Sequence, residues 1–366
     1  MPLGVPSGVP SGVPLGVTRG AAPIRVGVIG AGSWGINHVR VLAAEPRCRV
    51  VGVAEPDLAK RALVAELTPA ARWTASAEAI IQAPDIEAVV IAAPAATHVE
   101  LAIAAFQAGK HVLVEKPLAR SLWDARRVAA AAARAGTVGM VGHLMVFHPA
   151  VRQIRELLRS GGLGRPFYVH AMRVNLGRIR SDETALWCFG PHDLSMIDYI
   201  LGEQPVTASA CGTAVLQPGI EDVVFVTLRY ASGILANLHL SWLHPRKERR
   251  FTLVCSQQMV ELDDVSPDKL RIYDKGYDRP PAFTQFGEFL TIRDGDIHIP
   301  QVPMEEPLRA EIRHFLDCIE RGELPQTDLA QGVRVTAILE AAEQSLATGG
   351  APLRVSPVSE YEIKQL

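Results

Sequence analysis

The chain has 366 residues, 48% hydrophobic and 21% charged, with a formal net charge of −2 at pH 7; that length supports two domains rather than one small core. So even a charge supplies no basic stripe for nucleic acid, and no apolar run approaches the roughly 20 residues that cross a bilayer. Cys48, Cys188, Cys211, Cys255 and Cys318 form no C-x-x-C pair and the histidines no ligand spacing, which excludes a disulfide framework, gives no reason to expect a metal, and points to a soluble protein of a reducing cytoplasm.

Residues 2–17 read as four tetrapeptides, PLGV, PSGV, PSGV and PLGV. Pro and Gly recur too often there for helix or strand, so a disordered or polyproline-like tail is expected over residues 1–22. With no basic n-region and with prolines interrupting any apolar core, it is not read as a signal peptide. From Ile24 short apolar runs alternate with Ala-rich stretches: strands are predicted at 24–29, 49–54, 87–93, 111–115 and 137–142, and helices at 34–44, 57–67, 97–108 and 121–134. The runs are continuous rather than alternating, as in strands covered on both faces, so residues 23–145 are expected to form a doubly wound parallel sheet of the Rossmann type. After about residue 165 the strands lengthen and partly alternate, at 167–175, 206–216, 222–230, 233–242 and 249–256, with helices at 307–321 and 328–347 closing the chain. This predicts an α+β domain over 146–366 built on a large, mostly antiparallel open sheet. An open sheet face favours a homodimer or homotetramer.

Gly30, Gly32 and Gly35 end the first strand and open the first helix with the G-x-G-x-x-G spacing. Gly30 permits the tight turn, Gly32 lets the backbone approach a pyrophosphate, and Gly35 lets the helix lie close on the strand; Ser33 and Trp34 belong to the same anion-facing turn. Twenty residues beyond Gly35 stands Glu55, a carboxylate placed to bind ribose hydroxyls and repel a 2′-phosphate, which favours NAD over NADP. The fifth strand ends in Glu115-Lys116-Pro117, and ligands of open parallel sheets sit beyond such ends, so Lys116 is expected to reach the nicotinamide crevice.

On GAGSWG (residues 30–35), Ala93-Pro94-Ala95-Ala96-Thr97-His98 and Glu115-Lys116-Pro117, the chain resembles the Gfo/Idh/MocA family of glucose-fructose oxidoreductases and inositol dehydrogenases from about Ile24 onward. The resemblance implies an NAD-dependent oxidoreductase acting on a sugar hydroxyl, with Pro94, Thr97, His98, Glu115 and Lys116 added to the cofactor site. It also implies that Lys116 lies beside the reacting hydroxyl, and that His192 matches the histidine of the family's D-x-x-x-H segment. Cys188 stands where many members carry the aspartate. A histidine starts near the pKa needed to take the hydroxyl proton, whereas a lysine needs a strong downward shift. His192 is therefore assigned as proton acceptor and donor, Lys116 as the group binding and polarising the oxygen, and Asp193 as a helix cap.

His98, His143, Arg173, Asn175 and Arg178 are expected to line the cleft with Cys188. Arg173 and Arg178 suit a carboxylate or pyrophosphate, or else form surface charge at a sheet edge. Segments 186–202 and 241–265 resemble those of members acting on UDP-N-acetylglucosamine-derived uronates, which share the departure at Cys188. The implied substrate is a nucleotide-linked sugar or uronate oxidised at C3, with Arg246, Lys247, Arg249 and Arg250 either contacting its anionic groups or forming a solvated turn. An NAD-dependent glycosidase, an inositol or glucose dehydrogenase, and a catalytically silent NAD-binding protein are the alternatives.

Overall fold

The computed structural model describes residues 22–177, 179–278 and 290–358. The expected tail, except for Ala22, and Arg178 lie outside the described residues. Six parallel strands form the first sheet: β1 (Ile24–Ile29), β2 (Cys48–Ala54), β3 (Arg72–Thr74), β4 (Ala88–Ile91), β5 (His111–Glu115) and β6 (Gly139–Gly142), in the order β3-β2-β1-β4-β5-β6. The chain winds outward from β1 in one direction and from β4 in the other, so the crevice opens beyond the carboxyl ends of these two neighbours. Helices α1 (Gly35–Ala43), α2 (Arg61–Leu67), α3 (Ala77–Ile81), α4 (His98–Gln107) and α5 (Leu122–Ala135) make the connections. Val28, Val90 and Val112 in the central strands are fully buried, which is the reason for their unbroken apolar runs.

After α6 (Pro149–Arg159) comes the second sheet. Its strands are β7 (Pro166–Val174), β8 (Thr207–Thr213), β9 (Val223–Arg229), β10 (Leu235–Ser241), β11 (Glu248–Cys255), β12 (Met259–Asp263), β13 (Leu270–Asp278), β14 (Thr291–His298) and β15 (Leu353–Arg354). Their order is β14-β13-β12-β11-β7-β10-β9-β8-β15, and every neighbouring pair is antiparallel except β7 with β10. The sheet is thus mostly antiparallel, as the alternation implies, but larger, since nothing in the sequence pattern marked β12 to β15. On β9, Val224, Val226 and Leu228 are buried while Phe225 between them is exposed; one face is packed and the other is open.

Covering the packed face are α7 (Ala185–Leu201) and α9 (Leu329–Ala347), while α8 (Pro307–Arg321) packs against α1 of the first half. Helix α7 corrects the sequence reading. It begins at Ala185, capped by Thr184, whose hydroxyl accepts from the Trp187 amide at 3.4 Å, so Asp193 lies inside the helix and caps nothing. Gly190 and Pro191 look like helix breakers, yet a Cβ on Gly190 would stand 3.0 Å from Leu339 of α9; close helix packing outweighs weak local propensity. The C-terminal segment returns to the first sheet, where the Val141 amide donates to the Thr327 carbonyl at 2.8 Å. Among the described residues no helix is long and apolar enough to cross a membrane.

Candidate active site

The three glycines of the β1–α1 turn answer to different constraints. Gly30 has φ +93°, and a Cβ there would come within 2.7 Å of the Ala92 carbonyl. A Cβ on Gly35 would lie 2.1 Å from the Gly30 oxygen. Gly32 has no protein atom within 4 Å of where its Cβ would be; internal packing does not require this glycine, but a phosphate resting against the backbone at the start of α1 does. The loop therefore fits a dinucleotide. Glu55 stands beside it, 9% exposed, with its two carboxylate oxygens accepting from the Ala31 amide at 2.7 Å and the Asp57 amide at 2.9 Å. Each oxygen keeps a lone pair for a ribose hydroxyl, while its charge opposes a 2′-phosphate. Glu55→Ala is expected to relax the preference for NAD over NADP, measured as the ratio of the two kcat/KM values; a wild type that prefers NADP overturns the assignment.

Ser33, Lys60, Ile179, Arg180, Ser181 and Asp182 line a polar cavity of about 450 Å³ at this loop. Arg180 is tied there to Asp182 at 3.1 Å and Glu183 at 3.2 Å. Of these only Ser33 was singled out in the sequence. Lys60 and Arg180 carry no local signal that separates them from ordinary solvated charge.

At the reacting end, Glu115 pairs with Gly142 across β5 and β6, so Lys116 and His143 leave adjacent strand ends side by side. The buried Glu115 carboxylate accepts from the Trp34 indole, from His38 Nε2 at 2.7 Å and from the Lys116 amide at 3.1 Å. Burial would raise its pKa, but His38, Lys116 and Trp34 outweigh this and hold it below the usual carboxylate value. One charge thus joins the glycine loop to the strand end that carries Lys116. His98 behaves differently from expectation: it is 1% exposed, with Nδ1 2.8 Å from the Pro117 carbonyl and Nε2 2.9 Å from the Ala93 carbonyl. Its single ring proton donates to one of these carbonyls, and the ring, wedged between the two loops, does not line the cleft. Pro94 and Thr97 are exposed just beyond β4, with the Thr97 hydroxyl donating to the Pro94 carbonyl at 2.8 Å.

His192 sits mid-helix in α7, partly exposed. Burial, then the nearby Lys116, Arg173, Arg249 and His143, push its pKa well below the ordinary histidine value, so it stands neutral at pH 7. Cys188, one turn earlier on the same side, has its thiol pushed up to about 11 by burial and Glu183 despite Lys116, Trp242 and Arg180. It stays protonated at neutral pH, the form that disfavours nucleophilic attack. Arg173 also differs from expectation. Its guanidinium is buried and locked to Asp193, Nη2 to Oδ1 at 2.7 Å and Nε to both oxygens at 3.1 Å, so it is committed to the protein rather than to a substrate anion. Asn175 follows β7, half-buried, with its amide donating to the Ser241 carbonyl at 3.1 Å. In the basic cluster, Arg249 pairs with Arg173 across β11 and β7 and so shares its face, whereas Arg250, next along the strand, points to the other side. Arg249 reaches Asp264 at 3.5 Å and remains 40% exposed. Among the described residues no group of three or more His, Cys, Asp or Glu is placed to hold a metal.

A dinucleotide loop, a lysine and a histidine side by side at adjoining strand ends and an open-sheet second half are the features of an NAD-binding oxidoreductase. Two family models agree with this: the Gfo/Idh/MocA oxidoreductase family, NAD-binding Rossmann fold, matches residues 24–143, and the Gfo/Idh/MocA C-terminal domain matches residues 151–261. Inositol 2-dehydrogenase 2 of Paenarthrobacter aurescens (strain TC1) is 30% identical over 356 residues, 91% of this chain and 99% of its own. UDP-N-acetylglucosamine 3-dehydrogenase of Acidithiobacillus ferrooxidans, in its solved structure, is 27% identical with a TM-score of 0.75, covering 90% of this chain and 99% of its own. A levoglucosan dehydrogenase in complex with NADH and levoglucosan, 22% identical with a TM-score of 0.79 over 92% of this chain and 100% of its own, shares the fold. The chain belongs to the Gfo/Idh/MocA oxidoreductase family.

Proposed function

We propose that this oxidoreductase is a dehydrogenase that transfers hydride between C3 of a nucleotide-linked sugar or uronate and NAD, in a cleft between a cofactor unit ending near residue 145 and a substrate unit beyond it. The observation that carries the reading is the Glu115 carboxylate, which ties Trp34 of the glycine loop to the Lys116 amide at the end of β5, with His192 held neutral by burial and the influence of Lys116 and, from the second sheet, Arg249. Gly30, Gly32, Gly35 and Glu55 would hold the cofactor, which supplies the hydride acceptor. His192 takes the hydroxyl proton as the carbon gives up its hydride. Lys116 donates to the same oxygen and stabilises the negative charge that develops there. Arg249 offers a half-exposed guanidinium on the cleft-facing side of the second sheet, suited to a carboxylate or phosphate. That favours a charged sugar over a free polyol.

The 30% identity to an inositol dehydrogenase supports a second reading, a polyol substrate. The two are separated by following NADH formation with UDP-N-acetylglucosaminuronate, UDP-N-acetylglucosamine, glucose and myo-inositol at matched concentrations. Turnover of a nucleotide sugar is the expected result; robust turnover of a free polyol with none for either nucleotide sugar overturns it. Glycoside cleavage without net NADH would point to the glycosidase chemistry, and NAD binding with no turnover to a silent binding protein. A homodimer or homotetramer formed across the open sheet face is also proposed. Its support is the exposed Tyr168 and Phe225 there, the latter stacked on His239 at 4.4 Å between ring centres.

A further inference from the structure

Below the reacting end of the cleft a buried amide links two elements to His143. Gln331, in the first turn of α9, is 2% exposed. Its Nε2 donates to the Ser195 carbonyl of α7 at 3.4 Å, and its Oε1 lies 3.0 Å from His143 Nδ1. A backbone carbonyl only accepts, so the NH2 end of the amide is committed to Ser195 and the carbonyl end faces the imidazole. That carbonyl also only accepts, so the ring proton of His143 must sit on Nδ1, and Nε2 keeps its lone pair on the side turned away from α9. The charged and titratable groups acting on the ring are Lys116 and Glu115 at the end of β5, and Asp198 and His192 on α7. Burial outweighs the raising effects of Gln331, Asp198 and Glu115, and with Lys116 brings His143 down to about 4. The ring is neutral at any pH where a dehydrogenase is assayed.

We propose that Gln331 is a positioning residue that locks His143 in the Nδ1–H tautomer, so that Nε2 accepts a hydrogen bond from a substrate hydroxyl beside the reacting carbon. The substrate half of this inference rests on the dehydrogenase reading; the tautomer half rests on the geometry alone. A sugar or polyol ring carries O–H donors next to the carbon being oxidised, and a fixed acceptor beside Lys116 selects a donor at that place over a keto or deoxy position.

Imidazole nitrogen–proton NMR correlations of the full-length protein read the tautomer directly. Wild type is expected to show Nδ1–H for His143 with no titration between about pH 6 and 9. Gln331→Leu removes the acceptor and is expected to lose that tautomer. Gln331→Glu keeps an acceptor, so Nδ1–H persists, but its carboxylate favours the charged ring and brings a His143 ionisation up toward the neutral range. In NADH-forming assays with UDP-N-acetylglucosamine and myo-inositol as probes, Gln331→Leu is expected to raise substrate KM by about tenfold, the scale of one neutral hydrogen bond, with the KM for NAD unchanged. Gln331→Glu should stay within about threefold of wild type in alkaline buffer and acquire a new acid limb. An Nε2–H ring in wild type, or equal losses in both variants with no change of pH profile, overturns the positioning role. No NADH from either probe or from UDP-N-acetylglucosaminuronate overturns the dehydrogenase reading and the substrate hydroxyl with it, while the NMR signal still decides the tautomer.

Discussion

Lys116→Met and His192→Ala are each expected to lower kcat by roughly a hundredfold or more, the usual scale for removing an acid–base group, while calorimetric NAD affinity stays near wild type. The two variants should differ in pH dependence. Oxidation needs the unprotonated imidazole, and burial with the surrounding cations pushes the His192 pKa well below the ordinary value. The acid limb of kcat/KM is therefore expected well below pH 6.5, with activity rising as pH rises through it and then level. His192→Ala should abolish that limb. Lys116→Met removes the cation that most lowers His192, so the surviving activity should show the limb moved up toward the ordinary histidine value. Full activity in the Lys116 variant, or a wild-type limb at or above pH 6.5, would contradict the roles given to these two side chains. The distinction matters because the proposed mechanism has both groups act on one oxygen: the base accepts its proton and the ammonium steadies what remains.

Asp193→Ala is expected to destabilise the protein by about 3–5 kcal/mol in urea unfolding, because it leaves Arg173 buried with an uncompensated charge. Side-chain exposures of 6% for Arg173 and 3% for Asp193 place this pair away from solvent screening. The expected loss follows from stranding one charge rather than from the worth of the pair itself. The double variant Arg173→Met with Asp193→Leu should therefore recover most of the stability, since a buried ion pair replaced by apolar side chains of similar size is often neutral. A loss below about 1 kcal/mol for Asp193→Ala would mean that the guanidinium finds water or another acceptor. The same substitution should also depress His192 further, because Arg173 already lowers it and would then act with its full charge; the acid limb of the pH profile would move to lower pH.

The first half of the chain was legible because its signals are local. Apolar runs such as Val112–Val114 are continuous because the strand is covered on both faces, and the spacing of Gly30, Gly32 and Gly35 encodes a turn whose geometry depends on few other residues. Alternation likewise announced the strands of the second sheet around β9 and β10. Tertiary structure decided what depends on partners distant in sequence. Asp193 resembles a cap until β7 brings Arg173 against it. His98 sits where a cleft residue should, yet its buried ring lies between the carbonyls of Ala93 and Pro117 and donates its proton to one of them. Of four clustered cations, the pairing of β11 with β7 turns Arg249 toward the site and Arg250 away from it. The tautomer of His143 is set by Gln331, 188 residues further along the chain. Residue type and spacing determine which side chains can carry the chemistry; burial and long-range pairing determine which remain free to do it, because a polar group taken out of water must first be satisfied by the protein.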